Sequence, residues 1–488
     1  MTHRPNILFI LSDDQGAWAM HCAGTPELIT PSLDRLAREG MMLDSFYCAS
    51  PVCSPARASL LTGRMPSAHG VHDWLASGNL SSEVCKDLDN PYSNAEEREP
   101  IAYTDGIPAF TDELARAGYV CALSGKWHLG DSMRPQHGFD KWYTIGKGGC
   151  CYYHPDIIED GRISMRHGEY VTDLFTENAL KFLDELAAQD APFFLSVNYT
   201  APHAPWGEEH HPREYLDLYR DCDFASIPDV PDHDNMITGP VYGTPRRREN
   251  LTGYFAAITA MDAGIGRLLD RLDELGIADD TLVIFTADNG MSMGHHGVWG
   301  KGNGTWPMNM YDSAIKVPFI ARMPGIAAGS RRSEPVSACD LFPTLCELAG
   351  AHPDDDPLRP GMSFLPMLLG EAAPERCAVV YDEYGPTRML RTERYKYVHR
   401  YAYGPNELYD MLNDPGEEHN LYGLPEYSSI ALEMRTRLFK WFNEHSLPEL
   451  DGSREPVTGS GQLDRAGASS GRLDNYAPAP KITTPKRS

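Results

Sequence analysis

The sequence predicts an α/β protein: a large mixed, mostly parallel sheet sandwiched by helices, with a smaller C-terminal α+β subdomain. Three observations carry this prediction. Apolar runs such as "NILFIL" have no polar face, as strands buried on both sides of a parallel sheet require. Such runs alternate with helical segments bounded by cap residues, the rhythm of a doubly wound sheet. Beyond about residue 378 charged residues interleave with apolar ones, a hairpin texture rather than that of a buried strand.

In chain order, "RPNILFILSDD" (4–14) is a buried strand ending in two acids. "TPSLDRLAREG" (30–40) has a Thr cap, a Pro in the first turn and a Gly stop, which together predict a helix. In "SPVCSPARASLLTGR" (50–64) Ser54 reads as the N-cap, Pro55 as first-turn proline, 56–62 as helix and Gly63 as its end. "TDELARAGYVCALSGKWH" (111–128) repeats helix, glycine, strand. "PFFLSVNYTAPHAP" (192–205) is a strand running into a Pro-rich loop. Residues 248–275 predict a long helix with Tyr254, Ile258, Met261, Ile265, Leu268, Leu269 and Leu272 on one face. "DDTLVIFTADNG" (279–290) and "KVPFIARMPG" (316–325) are further strands. "TRMLRTERYKYVHRY" (387–401) reads as a hairpin and 428–444 as an amphipathic helix. After residue 450 the chain is rich in Gly, Ser, Pro and charge. That composition predicts a disordered tail or an arm laid over the body or over a neighbouring subunit, the latter allowing a homo-oligomer. The expected organisation is a large domain over 1–375, a small subdomain over 376–450 and an extended tail over 451–488.

The 488 residues suffice for a large core, and 42 % hydrophobic residues is an ordinary globular value. A formal net charge of −26 argues against a nucleic-acid partner, which needs a basic footprint. The apolar run nearest the start is too short for a membrane span, and no signal-peptide pattern precedes it. As it stands the chain reads as cytoplasmic, or as periplasmic or secreted if a signal has been removed. Eleven cysteines without regular spacing or a CxxC pair read as reduced structural thiols.

In open α/β sheets ligands sit beyond the carboxyl ends of the strands. Asp13 and Asp14 end the first strand, and Asp288 and Asn289 end a later one. Each pair alone reads equally as a polar turn; together they form a hard-oxygen cluster suited to Ca²⁺ or Mg²⁺ rather than zinc. Lys126 and His128 in "SGKWHLG", His203 in "APHAP" and Lys301 in "VWGKGNG" stand at other strand ends or loops. With Arg57 they outline an anion pocket containing acid–base groups. Cys53 lies at a helix mouth, where outward-pointing N–H groups favour an anion; a buried cysteine ahead of a capped helix is the alternative. "GKGGCC" and "GKGNGT" lack P-loop spacing, and neither a dinucleotide fingerprint, a GxSxG elbow nor HExxH is present.

These residues resemble the sulfatase family of the alkaline-phosphatase-like superfamily, whose signature C-x-P-x-R is Cys53-Ser54-Pro55-Ala56-Arg57 here, followed by "LTGR". "PNILFILSDD", "GKWHLG", "PHAP", "ADNG" and "GKG" come in the family's order, and "ELYDMLNDPGEEHNL" (407–421) resembles its C-terminal motif. The resemblance covers residues 4–445. It implies that Cys53 is oxidised to formylglycine by a formylglycine-generating enzyme, and that the aldehyde hydrate attacks a sulfate ester to give a sulfo-enzyme intermediate. By the same resemblance Asp13, Asp14, Asp288 and Asn289 hold Ca²⁺ (or Mg²⁺) together with the residue at 53. Arg57 steadies the hydrate, and Lys126, His128, His203 and Lys301 surround the sulfate. His203 is the expected donor to the leaving oxygen and His128 the expected proton acceptor at sulfate release. Ala56 departs from the family, where Ser is frequent, which bears on how a maturing enzyme accepts the site.

Phosphodiesterases and phosphonate monoester hydrolases share C-x-P-x-R, but in that branch His typically follows the strand-end Asp; Asn289 here favours a sulfate ester. A carbohydrate sulfate is the expected substrate, with aryl or choline sulfate as alternatives, because carbohydrate sulfatases are common in the family. His72, Asp73, Trp74, His154, Asn303 and Trp306 flank the catalytic blocks and are the candidate substrate contacts, the indoles as stacking faces.

Overall fold

The apolar strand Asn6–Ser12 lies inside a ten-stranded mixed sheet. A computed structural model describes residues 4–86, 88, 97–382, 386–402, 404–467 and 475–478. Across the sheet the strands run Ser330–Arg332, Met41–Leu43, Phe319–Arg322, Thr281–Ala287, Asn6–Ser12, Phe193–Asn198, Val120–Gly125, Phe139–Ile145, Asp156–Glu159 and Arg162–Met165. From Thr281–Ala287 to Phe139–Ile145 all pairings are parallel; Phe319–Arg322 and the Asp156–Met165 hairpin join antiparallel.

Alternation along the first strand divides the core. Ile7, Phe9 and Leu11 pack into one hydrophobic layer with Leu60 and Leu61 of helix Cys53–Thr62 and Phe110 of helix Phe110–Arg116. Leu8 and Ile10 pack into the opposite layer with Leu33, Phe175, Leu268 and Leu272 from helices Pro31–Glu39, Val171–Ala187 and Arg246–Glu274. Helices on both faces are what a strand with no polar side requires. All seven apolar residues assigned to one face of the long helix are buried.

Two helix starts and one cap differ from the sequence reading; the helix after Thr30 begins at Pro31 as expected. The helix after Val52 begins at Cys53, because Ala56 N–H already donates to Val52 O at 2.9 Å. Ser54 therefore lies inside the helix and does not cap it; its hydroxyl accepts from Leu75 N–H at 3.2 Å. Thr30 spends its hydroxyl on His21 N–H, and Asp262 of the long helix caps Ser32 and Leu33 N–H in its place. The helix expected from Thr111 begins at Phe110, with Asp112 reaching back to Ala109 N–H.

Toward the C-terminus, Ala378–Asp382, Thr387–Arg391, Tyr395–Arg400 and Glu407–Asp410 form a four-stranded antiparallel sheet. Helix Ser428–His445 lays Met434, Leu438 and Phe442 on it, against Tyr381, Leu390 and Tyr397. The described part of the tail folds back on its own chain: Gln462 bridges to Leu75 and to Tyr476. Tail residues 468–474 and 479–488 lie outside the described residues. Among the described residues no helix is long and apolar enough to cross a membrane. All eleven cysteines are free thiols.

Candidate active site

The carboxyl ends of four neighbouring parallel strands converge on Cys53. Asp13 and Asp14 follow Asn6–Ser12, Lys126 and His128 follow Val120–Gly125, His203 follows Phe193–Asn198, and Asp288 and Asn289 follow Thr281–Ala287. Cys53 is the first residue of its helix and is buried. Lys301 reaches in from its glycine-rich loop; its Nζ donates to Asp14 Oδ1 at 2.6 Å and lies 3.1 Å from Cys53 Sγ.

Each carboxylate has a cation. Lys126 Nζ donates to Asp13 Oδ2 at 2.5 Å. Arg57 Nε donates to Asp288 Oδ2 at 2.9 Å, and Arg57 NH1 to Lys126 O at 3.0 Å. Asp288 Oδ1 accepts from Asp14 N–H and Asn289 N–H. His203 Nδ1 bonds Ala204 O at 2.7 Å, which leaves Nε2 facing Asp14 Oδ2 at 3.6 Å. The main chain around these residues is itself anchored: Asn198 donates to Lys126 O, Tyr254 to Asp14 O and Tyr152 to His203 O.

The two histidines are driven in opposite directions. Burial pushes His203 down, but Asp14 and Asp13 outweigh it and raise it to about 9, so it is protonated at neutral pH. Burial, with Lys126 and Arg57 close by, holds His128 well below the ordinary histidine value, so it is neutral. An acid and a base set apart by environment is the arrangement that bifunctional proton transfer needs. Burial opposes ionisation of Cys53, but Lys126 and Lys301 prevail and bring its thiol down to about 6. Burial and repulsion from Asp13 raise Asp288 to about 6, against Arg57. For Asp14 burial is overcome by Lys301 and His203, which hold it well below the usual carboxylate range.

Two buried oxygens here, Asp13 Oδ1 and Asn289 Oδ1, have no hydrogen-bond partner. Ligand atoms of Asp13, Asp14, Cys53 and His203 lie within 4.8 Å of one another. Asp13 and Asp14 so placed, with an orphaned oxygen on Asp13 and another on Asn289, fit a hard divalent cation; Asp288, expected beside them, is not in that group and has both oxygens hydrogen-bonded.

A cavity of about 410 Å³ opens above Cys53, walled by Trp74, Leu75, Ala76, His128, Lys147, Gly148, Cys150, His203, Lys301 and Asn303 among others. Of the candidate substrate contacts, Trp74 and Asn303 line it. His72 and Asp73 are buried behind Trp74: His72 Nδ1 bonds Tyr476 hydroxyl, and Asp73 accepts from Trp74 and Gly461 N–H. His154 and Trp306 are not in the wall. His154 is exposed beside His167, and Trp306 is 53 % exposed. Sequence reasoning missed Lys147 and Gly148, although "GKGG" had been weighed as a phosphate cradle. A Cβ at Gly148 would lie 2.0 Å from His128 Cε1, so only glycine lets this loop close over the imidazole.

The family comparison agrees with this geometry. The sulfatase profile matches residues 5–351, and a profile for the C-terminal region of N-sulphoglucosamine sulphohydrolase matches 294–444. The chain belongs to the sulfatase family and is a sulfuric ester hydrolase. It is 30 % identical over 456 residues to an ulvan-active sulfatase of Formosa agariphila, covering 90 % of this chain and 81 % of that one. It is 28 % identical over 515 residues to an N-acetylglucosamine-6-O-sulfatase of Bacteroides thetaiotaomicron, covering 89 % and 85 %. A solved structure of a protein bound to its substrate D-glucosamine-2-N,6-O-disulfate superposes with a TM-score of 0.72 at 25 % identity, over 93 % of this chain and 100 % of that one.

Proposed function

We propose that the protein removes a sulfate monoester from a saccharide, using formylglycine made from Cys53 and Ca²⁺ held by Asp13, Asp14, Asp288 and Asn289. The observation that carries the reading is geometric: Asp13, Asp14, Lys126, His128, His203, Asp288 and Asn289 follow four neighbouring parallel strands and, with Lys301, gather around the buried Cys53 at one cavity. Formylglycine would supply the nucleophilic hydrate, and the cation would lower the cost of its ionisation. Lys301, 3.1 Å from Cys53 Sγ, and Lys126 behind Asp13 would stabilise the negative charge on the sulfuryl oxygens, and both stay cationic because neighbouring carboxylates outweigh the cost of burying them. Arg57 holds Asp288, and through Lys126 O it fixes the loop that carries Lys126 and His128. His203 donates a proton to the departing sugar oxygen; its Nδ1 bond to Ala204 O presents Nε2 to the site. His128 takes up the proton lost as sulfate is released; its Nε2–H is held by Leu75 O at 3.4 Å, so Nδ1 carries the free lone pair.

The saccharide assignment is supported by the names of the relatives, by the Trp74 face in the cavity wall and by the cationic groups beneath it. The test is hydrolysis of a panel of sulfated mono- and oligosaccharides, with 4-nitrophenyl sulfate and choline sulfate alongside. Mass spectrometry of the Cys53 peptide and elemental analysis accompany it. Release of sulfate from a saccharide by protein carrying formylglycine and Ca²⁺ is the expected result. A permanently thiol Cys53 in fully active enzyme overturns the mechanism, and Mg²⁺ in place of Ca²⁺ overturns the metal.

A further inference from the structure

Residues 451–478 lie beyond both matched profiles, yet their described part is built into the active-site wall. Gln462 is fully buried. Its backbone N–H donates to Trp74 O at 2.8 Å, and its carbonyl accepts from Ala76 N–H at 3.0 Å and Ser77 N–H at 3.3 Å. Its side chain donates to Gly70 O at 3.0 Å and accepts from His72 N–H at 2.9 Å. Gly461 comes so close that an added Cβ would meet Ala76 Cβ at 2.4 Å and Trp74 Cζ2 at 3.1 Å, at a φ of +114°. Trp74 Nε1–H donates to Gly459 O at 3.4 Å.

What the arm grips is the catalytic wall itself. Trp74, Leu75 and Ala76 line the cavity that contains Cys53. Leu75 also touches both sides of the chemistry: its N–H donates to the Ser54 hydroxyl beside Cys53, and its carbonyl receives His128 Nε2–H. Residues 70–77 have almost no regular structure of their own, so main-chain pairing with Gln462 helps to fix their place, together with the Tyr103 hydroxyl bond to Ser77 O and the burial of Val71 and Leu75 in the core.

We propose that Gln462 is a positioning residue of this sulfatase: through residues 70–77 the C-terminal arm sets the Trp74 face against which the organic part of the sulfate ester packs. The inference rests on the cavity above Cys53 being the substrate site. Displacing such a face forfeits a stacking contact, which weakens substrate binding by about two- to twelvefold. An arm that merely stabilises the fold would change the fraction of working enzyme, which scales the apparent kcat and leaves KM untouched.

The deciding experiment measures KM in full-length, formylglycine-bearing enzyme with 4-nitrophenyl sulfate and N-acetylglucosamine 6-sulfate. Gln462→Ala removes the side-chain clamp, and Gly461→Ala presses on Trp74 and Ala76 while leaving the Gln462 side chain in place. Both are expected to raise KM about fivefold. Arg465→Ala loosens an arm contact to Ala102 O, away from Trp74, and is expected to keep KM within about twofold of wild type. If KM stays within about twofold in Gln462→Ala and Gly461→Ala while only thermal stability falls, the proposal is overturned. Should Gln462→Ala fail to fold, Gly461→Ala decides. If wild type cleaves the aryl ester and not the saccharide, the saccharide assignment falls, and KM for the aryl ester still judges Gln462.

Discussion

Two buried ion clusters in this molecule use the same residue types and come out differently. In the first, Lys126, Lys301 and Arg57 face Asp13, Asp14 and Asp288 at the strand ends. In the second, Lys396 of the C-terminal sheet, with no exposed surface, bonds Asp312 at 2.8 Å and Glu417 at 2.5 Å, and Glu417 also accepts from Asp312 N–H. No side-chain nitrogen or oxygen of Lys396, Asp312 or Glu417 is left without a partner, so that cluster is closed. The strand-end cluster leaves Asp13 Oδ1, Asn289 Oδ1, Arg57 NH2 and His128 Nδ1 buried and unmatched. A closed network locks the small sheet to the body; an open one holds unmet polar atoms that a cation and an anionic substrate can satisfy. Variants in the two clusters should therefore differ in whether turnover per folded molecule survives.

The largest effect belongs to Cys53→Ala. Turnover should fall by about a thousandfold or more, since the variant leaves no precursor of the nucleophile. Thermal unfolding should hardly move, because a small buried side chain is exchanged for a slightly smaller one. Near-normal turnover would end the mechanism. Asp288→Ala comes next. It removes a proposed metal donor and leaves the buried Arg57 without its carboxylate, so both activity and cation should be lost, with a stability cost of about 3–5 kcal/mol. A variant that kept its metal by elemental analysis would show the donor set to be misassigned.

Lys396→Met tests the closed cluster. Two facing carboxylates would lose their shared cation, and urea denaturation should report a loss of about 3–5 kcal/mol. Turnover per folded molecule should remain that of wild type. Activity lost in proportion to neither folding nor metal would mean that the second cluster also serves catalysis.

The legible part of the site was local. Acids and cations that end apolar strands declare themselves, because a strand's last residues must point beyond the sheet; Asp13, Lys126, His203 and Asp288 all stand where that rule puts them. The sheet's mixed character and the C-terminal antiparallel sheet follow equally local patterns. Loop directions were not legible. His154 and Trp306 neighbour catalytic blocks in sequence, but turns send them away from the cavity, while Lys147 and Gly148 are brought in by a loop closing over His128. Two caps were misread for a related reason. Ser54 and Thr30 are good caps in isolation, but Leu75 and His21 claim their hydroxyls through tertiary contacts. Gln462 carries no sequence signal: its importance lies in partners nearly 400 positions away.

The smallest predicted effect concerns the seam between arm and body, and its sign follows from one histidine. Burial lowers His72 to about 4, with the nearby Leu450 and Pro66 carbonyls and Asp451 only partly opposing it. In the unfolded chain the same ring titrates near its ordinary value of 6.5. Between those values the unfolded state binds a proton that the folded state refuses, so stability falls as pH drops through 6.5 and levels off below about 4. The ceiling on this contribution is about 3 kcal/mol. His72→Phe keeps a flat ring against Tyr476, which stacks on His72 at 6.4 Å, but cannot titrate. Urea midpoints of the variant should be lower than wild type at pH 7, where the bond to Tyr476 is lost, and should decline less between pH 6.5 and 4. Parallel pH profiles for the two proteins would mean that protonation of His72 does not carry the acid sensitivity of the seam.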